Sequence, residues 1–267
     1  MKIPMWKRRL TVVQASLKDK ATPSQVAKHI QRIVKRQHPH LIGATEAQGG
    51  DSRAVKDLLE AEGYNATRKG GRLAVWRVER LRLMRQPKWV RLTYVYPGTE
   101  AWRDAWVLIL DFEDRANGLK YRVFLFHFPA GVEQGDLWKV KNVNGVRVHA
   151  IVWGLLRQLM VEAEREGYEP IALGDSNLNS LRKTWRQFKA RHLNPVQSAW
   201  AQHLQKRGSH GKKPGRLIDD MLALLPFTKA WVMALVRWFP MDHDVVIGVL
   251  NLTPALRKRG LLNRKKK

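Results

Sequence analysis

The clearest structural signal in the chain is the segment Pro170-Ile171-Ala172-Leu173-Gly174-Asp175-Ser176-Asn177, an apolar run that ends in polar residues. Its apolar part is predicted to be a buried strand, because the run is too short for a helix. A second segment has the opposite order, since Asp242-His243 precedes the apolar run Val245–Leu250, which is also predicted to be a strand. Each strand therefore carries polar side chains at one tip, and a sheet would bring both tips to one rim.

Helices and strands alternate in the first quarter of the chain. Leu10–Ser16 is predicted to be a strand. Thr22-Pro23 is typical of a helix start, with threonine as N-cap and proline in the first turn. A second strand is predicted over Leu41–Glu46, followed by a helix over Asp51–Glu62 that ends at Gly63.

Strands dominate the middle of the chain, and Asn117-Gly118 between two of them is a strong hairpin signal. The strands predicted there are Arg72–Val78, Trp89–Val95, Trp106–Phe112 and Tyr121–His127. A helix over Val146–Glu166 and a strand over Leu217–Leu224 complete the pattern, whereas residues 178–214 have only weak periodicity. This order predicts an α/β fold, a four-layered sandwich of two packed mixed β-sheets with helices outside and polar strand tips at one end.

The charge of the chain favours a polyanionic partner. It has 49 Lys and Arg residues against 23 Asp and Glu residues, a formal net charge of +26. Nucleic acid is the first expectation, because its phosphates attract cations and release counterions on binding. Anionic membranes and acidic proteins stay open as alternatives. Residues 1–256 are expected to form one domain, and residues 257–267 a disordered basic tail.

The composition excludes several classes of protein. The chain has no cysteine, which excludes disulfides and thiolate metal sites. No segment approaches the ~20 apolar residues of a membrane span, and no signal-type apolar core follows the basic residues 1–8. We therefore expect a cytoplasmic monomer, with a length and charge that suit a phage or bacterial protein.

Carboxylates, an amide and an imidazole at one rim suit metal-assisted attack of water on a phosphodiester. With further blocks of the chain, these strand tips resemble the endonuclease/exonuclease/phosphatase superfamily, which includes deoxyribonuclease-I-like and apurinic-endonuclease-like enzymes. Five blocks match in the family's order and are spread over most of the chain: Leu41–Glu46, Phe124–Gly131, Leu173–Asn177, Leu217–Asp220 and Met241–His243.

The resemblance implies a divalent metal ion, Mg²⁺ or Mn²⁺, held by Glu46 with Asp242 on the same side. It also implies that Asp175 orients or deprotonates the attacking water and that Asn177 holds the phosphate. Alternation along an extended backbone would turn both of these side chains to one face. A turn is the alternative reading of this block, since Asp, Ser and Asn all favour turns.

Two histidines complete the implied site. His243 corresponds to the family's closing histidine, which stabilises the phosphate as negative charge builds. Asp219 matches the aspartate that orients this histidine and raises its pKa. His127 is a candidate second phosphate contact or leaving-group donor, with a purely structural histidine as the alternative.

The first strand departs from the family pattern. The family has an asparagine near the metal at the end of this strand, whereas Ser16 stands at the matching position here. Gln14 lies two residues earlier on the same face. Either side chain would offer an oxygen on the metal side.

A basic segment follows the Asp-Ser-Asn block. Arg182, Lys183, Trp185 and Arg186 combine cations with an aromatic ring, a composition that suits nucleic-acid binding. The alternative is a helix packed against the sandwich, because Trp185 and Phe188 lie at helical spacing.

These features predict a divalent-metal-dependent phosphodiesterase that hydrolyses nucleic acid, with DNA as the expected substrate for endo- or exonucleolytic cleavage. One alternative is a catalytically weakened protein on the same fold that binds nucleic acid or an assembly partner, which Ser16 favours. A phosphoinositide or lipid phosphatase is the third reading.

Overall fold

The chain forms two β-sheets packed face to face, with helices on their outer faces. This is the predicted α/β sandwich of two mixed sheets. The computed structural model describes residues 3–17, 21–47, 52–92, 105–128, 143–203, 209, 217–233 and 243–262.

The regular elements follow a short 3-10 helix at Met5–Arg8. The helices are α1 (Pro23–Gln37), α2 (Ser52–Glu60), α3 (Val143–Arg165), α4 (Lys183–Leu193), α5 (Ala199–Gln202) and α6 (Thr253–Lys258). The strands are β1 (Arg9–Ser16), β2 (Leu41–Thr45), β3 (Tyr64–Lys69), β4 (Arg72–Arg77), β5 (Leu81–Leu83), β6 (Lys88–Arg91), β7 (Trp106–Asp114), β8 (Lys120–His127), β9 (Glu169–Asp175), β10 (Gln197–Ser198), β11 (Asp219–Ala223), β12 (Phe227–Met233) and β13 (Val245–Asn251).

Each sheet mixes parallel and antiparallel neighbours. The first sheet has the strand order β12-β13-β1-β2-β4-β3, and β1 and β2 are its parallel pair. The second has the order β10-β11-β9-β8-β7-β5, with β6 also paired to β7, and β8 and β9 are parallel. The hairpin predicted at Asn117-Gly118 joins the antiparallel strands β7 and β8, and Gly118 has the positive φ of 77° that such turns favour.

Three apolar layers hold the sandwich together. The inner layer lies between the sheets and takes alternate residues of each strand, such as Leu10 and Val12 of β1. A second layer packs α1 and α2 on the outside of the first sheet. A third packs α3 and α4 on the outside of the second sheet. Each strand therefore has an inner face directed at the opposite sheet.

Some elements escaped the sequence prediction. Edge strands β3, β5 and β12 lack a clear apolar alternation, and α4 falls within the segment of weak periodicity. At the C-terminus, α6 extends to Lys258 and Leu262 is buried, so the chain stays packed on the domain through residue 262. Residues 263–267 of the expected tail lie outside the described residues. In the described part of the chain, no helix has the length and apolar character to cross a bilayer.

Candidate active site

The inner faces of the strands change from apolar to polar at one rim of the sandwich. On β9, Leu173 packs in the inner layer and Asp175, two residues further, ends the strand. On β8, Leu125 and His127 have the same relation. Because alternate residues of a strand share a face, both polar side chains enter the space between the sheets.

Strand register places Asp175 between two other polar residues. β9 lies between β8 and β11, and Asp175 pairs with His127 on one side and with Asp219 on the other. The strands approach closely here, since a Cβ on Gly174 would lie 2.0 Å from the Phe126 carbonyl oxygen. Glycine therefore supports the pairing that brings the three side chains together.

Glu46 reaches the same rim from the first sheet. It directly follows β2, and its φ of 55° is in the left-handed region. Its Oε1 lies 3.8 Å from His127 Nε2, which in turn lies 4.0 Å from Asp175 Oδ2. His127 thus stands between two carboxylates that come from different sheets.

His243 and Asp219 form a buried pair at this rim. His243 Nδ1 lies 2.9 Å from Asp219 Oδ2. The Ser16 hydroxyl at the end of β1 donates to Asp219 Oδ1 at 2.5 Å and lies 2.7 Å from Thr45 Oγ1. Both oxygens of Asp219 are therefore engaged, and the carboxylate holds the imidazole through one ring nitrogen.

The alternation argument for Asp175 and Asn177 is wrong. β9 ends at Asp175, and Asn177 has a φ of 54° instead of an extended backbone. Asp175 Oδ1 accepts a hydrogen bond from the Asn177 N–H at 2.7 Å, which is an Asx-turn. The Asn177 side-chain amide donates to the Phe128 carbonyl at 2.8 Å. The turn alternative describes this block, and Asn177 fixes the loop beside Asp175.

The two neighbouring aspartates differ in their pKa. Burial raises the pKa of Asp175 well above its ordinary value, and the negative charges of Asp219 and Glu46 add to this against the opposing effect of His243. Burial also acts to raise the pKa of Asp219, but the charge and hydrogen bond of His243, with the bond from Ser16, lower it overall. Pairs whose pKa values move apart are common in acid–base sites.

The rim suits a hard divalent cation. Among the described residues, ligand atoms of Asp175, Asp219 and His243 lie within 4.8 Å of one another. Since hydrogen bonds already engage both oxygens of Asp219, Glu46 is the better oxygen ligand. A cation at Glu46 would offset the negative charge that adds to burial in raising the pKa of Asp175.

Gln14 adds an oxygen near the same place. It is buried in β1, its Nε2 lies 3.4 Å from Ser16 Oγ, and its Oε1 has no hydrogen-bond partner within the described part of the chain. An orphaned buried oxygen is costly unless something binds it, so the donor set fits Mg²⁺ or Mn²⁺. Asp242, the other predicted ligand, lies outside the described residues.

Asp175→Asn is expected to raise the melting temperature at pH 7 in EDTA by a few degrees. Because the folded-state pKa of Asp175 is raised, ionisation of this carboxyl lowers stability as the pH rises above its unfolded value of about 4. Asparagine removes this cost and still accepts the hydrogen bond from Asn177. Calorimetry from pH 3 to pH 7 should show the gain vanish below about pH 4, and a less stable variant at pH 7 would contradict the raised pKa.

A buried lysine lies behind the Asp175 loop, and the sequence prediction missed it. Lys189 of α4 is 3% exposed. Its Nζ lies 3.0 Å from Ser176 Oγ and 2.7 Å from Ser180 Oγ, and it forms an ion pair with buried Asp220 of β11. The ammonium group thus ties the loop that follows Asp175 to the neighbouring strand. The available signal was the four-residue spacing from Trp185, which puts both side chains on one helical face.

The basic segment after this loop is only partly exposed. Trp185 is 3% exposed and packs edge-on against Phe188 at 5.7 Å, so the expectation that it contacts nucleic acid is wrong. The helix-packing alternative describes it, as an apolar contact in the outer layer. Arg186 donates to the carbonyls of Ser180 and Leu181. Arg182 and Lys183 are exposed at the start of α4.

Known proteins resemble this chain in structure but not in sequence. No protein-family model and no curated protein matches the sequence. An endonuclease/exonuclease/phosphatase family protein from Bacteroides thetaiotaomicron is 16% identical with a TM-score of 0.62, covering 91% of this chain and 97% of that one. A mannosyl-6-phosphatase of the same species is 14% identical with a TM-score of 0.61, covering 90% and 98%.

A third solved structure is D. rerio TDP2 complexed with a single-strand DNA product. It is 13% identical with a TM-score of 0.61, and the match covers 91% of this chain and 99% of that one. At these identities the likeness concerns the fold. The chain therefore has the α/β sandwich fold of the endonuclease/exonuclease/phosphatase family.

Proposed function

We propose that the chain is a divalent-metal-dependent phosphodiesterase that hydrolyses nucleic acid, with DNA as its substrate. The observation that supports this most is the meeting of five titratable side chains at one rim of the two sheets: Glu46, His127, Asp175, Asp219 and His243. Water attack on a phosphodiester needs a base, a donor to the phosphate and charge neutralisation, and these residue types supply them.

Asp175 is the proposed base. Burial raises the pKa of its carboxyl group, so the ionised carboxylate is a stronger base towards the attacking water. The water oxygen then bonds to phosphorus as the bond to the leaving oxygen breaks. His243, held by Asp219, donates a hydrogen bond to the phosphate as charge builds, and His127 protonates the leaving oxygen. Glu46 would hold a divalent cation beside Asp175, and that cation would supply positive charge to neutralise the phosphate.

The net charge of the chain favours a polyanionic substrate. A formal charge of +26 suits a polyanion, whereas a small phosphorylated headgroup would not require it. One fold neighbour is complexed with single-strand DNA, which agrees with this choice. The mannosyl-6-phosphatase among the neighbours favours a phosphomonoesterase as the second candidate.

Substrate class and metal dependence are tested together by incubating the protein with single-stranded DNA, linear duplex DNA and a small phosphomonoester. Each reaction is run with Mg²⁺, with Mn²⁺ and with EDTA. We expect metal-dependent DNA fragments and no free phosphate from the monoester. Free phosphate without DNA fragments would replace the nuclease with a phosphatase. Salt-sensitive DNA binding without any hydrolysis would support the binding-protein alternative instead.

A further inference from the structure

The row of polar residues at the rim of the second sheet continues beyond the candidate active site. Asp219, Asp175 and His127 are register partners on β11, β9 and β8. Val107 of β7 pairs with Phe126 of β8, so the next pair outward sets Trp106 opposite His127. Trp106 in turn pairs with Arg91 of β6. Since directly paired residues share a face, all five side chains lie on the inner face of the sheet.

Trp106 and Arg91 are both accessible to solvent, and contacts with neighbouring side chains position them. Trp106 is half-buried and Arg91 is exposed. The Trp106 ring stacks on Trp89 at 5.5 Å with an interplanar angle of 8°, and Trp89 itself packs against the layer between the sheets. The Arg91 guanidinium lies 6.0 Å from the Trp106 ring centroid.

Arg72 of the first sheet fixes this pair relative to the candidate active site. Its Nη2 donates to the His127 carbonyl at 3.3 Å and to the Trp106 carbonyl at 3.4 Å. Its guanidinium also lies 5.1 Å from the Trp89 ring centroid. Gly70 gives Trp89 room, because a Cβ there would lie 2.3 Å from the ring. The Arg72 side chain therefore contacts both the Trp89–Trp106 stack and the row of polar residues at the candidate active site.

We propose that Trp106 and Arg91 form a binding subsite for the nucleotide next to the scissile phosphate in an unpaired nucleic-acid strand. Adjacent strands lie ~4.8 Å apart, so Trp106 and Arg91 stand about one and two strand spacings from His127. These distances from His127 suit a nucleotide adjacent to the scissile phosphate. Trp106 packs against the nucleoside and Arg91 pairs with its phosphate, as aromatic and cationic groups do in single-strand grooves. The proposal rests on the phosphodiesterase function above.

The subsite is tested with two substrates that differ in size, a single-stranded DNA oligonucleotide and bis(p-nitrophenyl) phosphate. Arg91→Ala and Trp106→Ala are each expected to lower the ratio of oligonucleotide to small-diester kcat/KM by roughly 10-fold. Arg82→Ala is the matched control, because it removes an exposed arginine that pairs with Glu113 towards the opposite end of β7. It should leave the ratio unchanged.

The outcomes separate the subsite from the proposed function. An unchanged ratio in both variants, or an equal loss with both substrates, would overturn the subsite while the phosphodiesterase stands. If the wild type hydrolyses neither substrate, the proposed function fails. Fluorescence anisotropy with the same oligonucleotide then decides the subsite, since a roughly 10-fold weaker binding in Arg91→Ala supports it and equal binding overturns it.

Discussion

Asp175→Asn is expected to lower the rate of phosphodiester hydrolysis by roughly 10³-fold, the usual contribution of a positioned general base. Asparagine keeps the size of the side chain and an oxygen that can accept the Asn177 N–H, which donates to Asp175 Oδ1 at 2.7 Å in the wild type. What it loses is the ability to take a proton from water. The measurement is kcat on DNA at saturating Mg²⁺.

A control separates this chemical loss from misfolding. The same preparation should be at least as stable as the wild type in EDTA, because the substitution removes a buried ionisable group with a raised pKa. A folded variant that keeps more than about a tenth of the wild-type rate would remove Asp175 from the role of base.

Lys189→Met is expected to destabilise the fold by about 3–5 kcal/mol, because it leaves the Asp220 carboxylate buried without its cation. It also removes the donor that holds Ser176 and Ser180, so the loop beside Asp175 loses its support. Urea unfolding measures the first effect. A fall in kcat in the remaining folded protein, with little change in KM, measures the second.

Two variants show where this loss comes from. Lys183→Met removes an exposed lysine of the same helix and should change stability by less than about 0.5 kcal/mol. Adding Asp220→Asn to Lys189→Met should recover part of the lost stability, because the unpaired charge is gone. If Lys189→Met unfolds at the wild-type urea midpoint, the buried ion pair does not stabilise the protein.

The sequence predicts the candidate active site at this rim because Asp175, His127 and Glu46 each lie at the end of an apolar strand. Asp175 ends β9 and His127 ends β8, and Glu46 follows β2 directly. A buried strand leaves few places for a carboxylate except its tip. The order of the blocks, together with the alternation on each strand, was therefore enough to predict the sandwich and the gathering of these side chains.

Local backbone geometry was harder to predict. The left-handed φ of Asn177 breaks the alternation that an extended chain would have, because the segment forms an Asx-turn.

The hydrogen-bond partner of Ser16 was also not predictable from the local sequence. The position of Ser16, which matches the family's metal-side asparagine, suggested a metal-side oxygen, whereas its hydroxyl donates to Asp219 across the two sheets, a contact between residues far apart in the chain.

Burial of single charged residues could not be predicted from local pattern. Lys189 sits in a helix rich in Lys and Arg, where a lysine is expected to face solvent. Its partner Asp220 lies on a distant strand, and only the tertiary fold brings the two together. Trp106 was assigned to a strand correctly, but its place opposite His127 depends on the register between β7 and β8.

The most direct test of metal-dependent phosphodiester hydrolysis at this rim is the nicking of supercoiled plasmid DNA. The rates are compared between the wild type and His243→Ala. His243 is held by Asp219 at 2.9 Å and is the proposed donor to the phosphate. We expect the wild type to relax the plasmid with Mg²⁺ or Mn²⁺ but not with EDTA, and His243→Ala to be at least about 10²-fold slower. Nicking at equal rates by both proteins, or nicking that persists in EDTA, would contradict a metal-dependent phosphodiesterase at this rim.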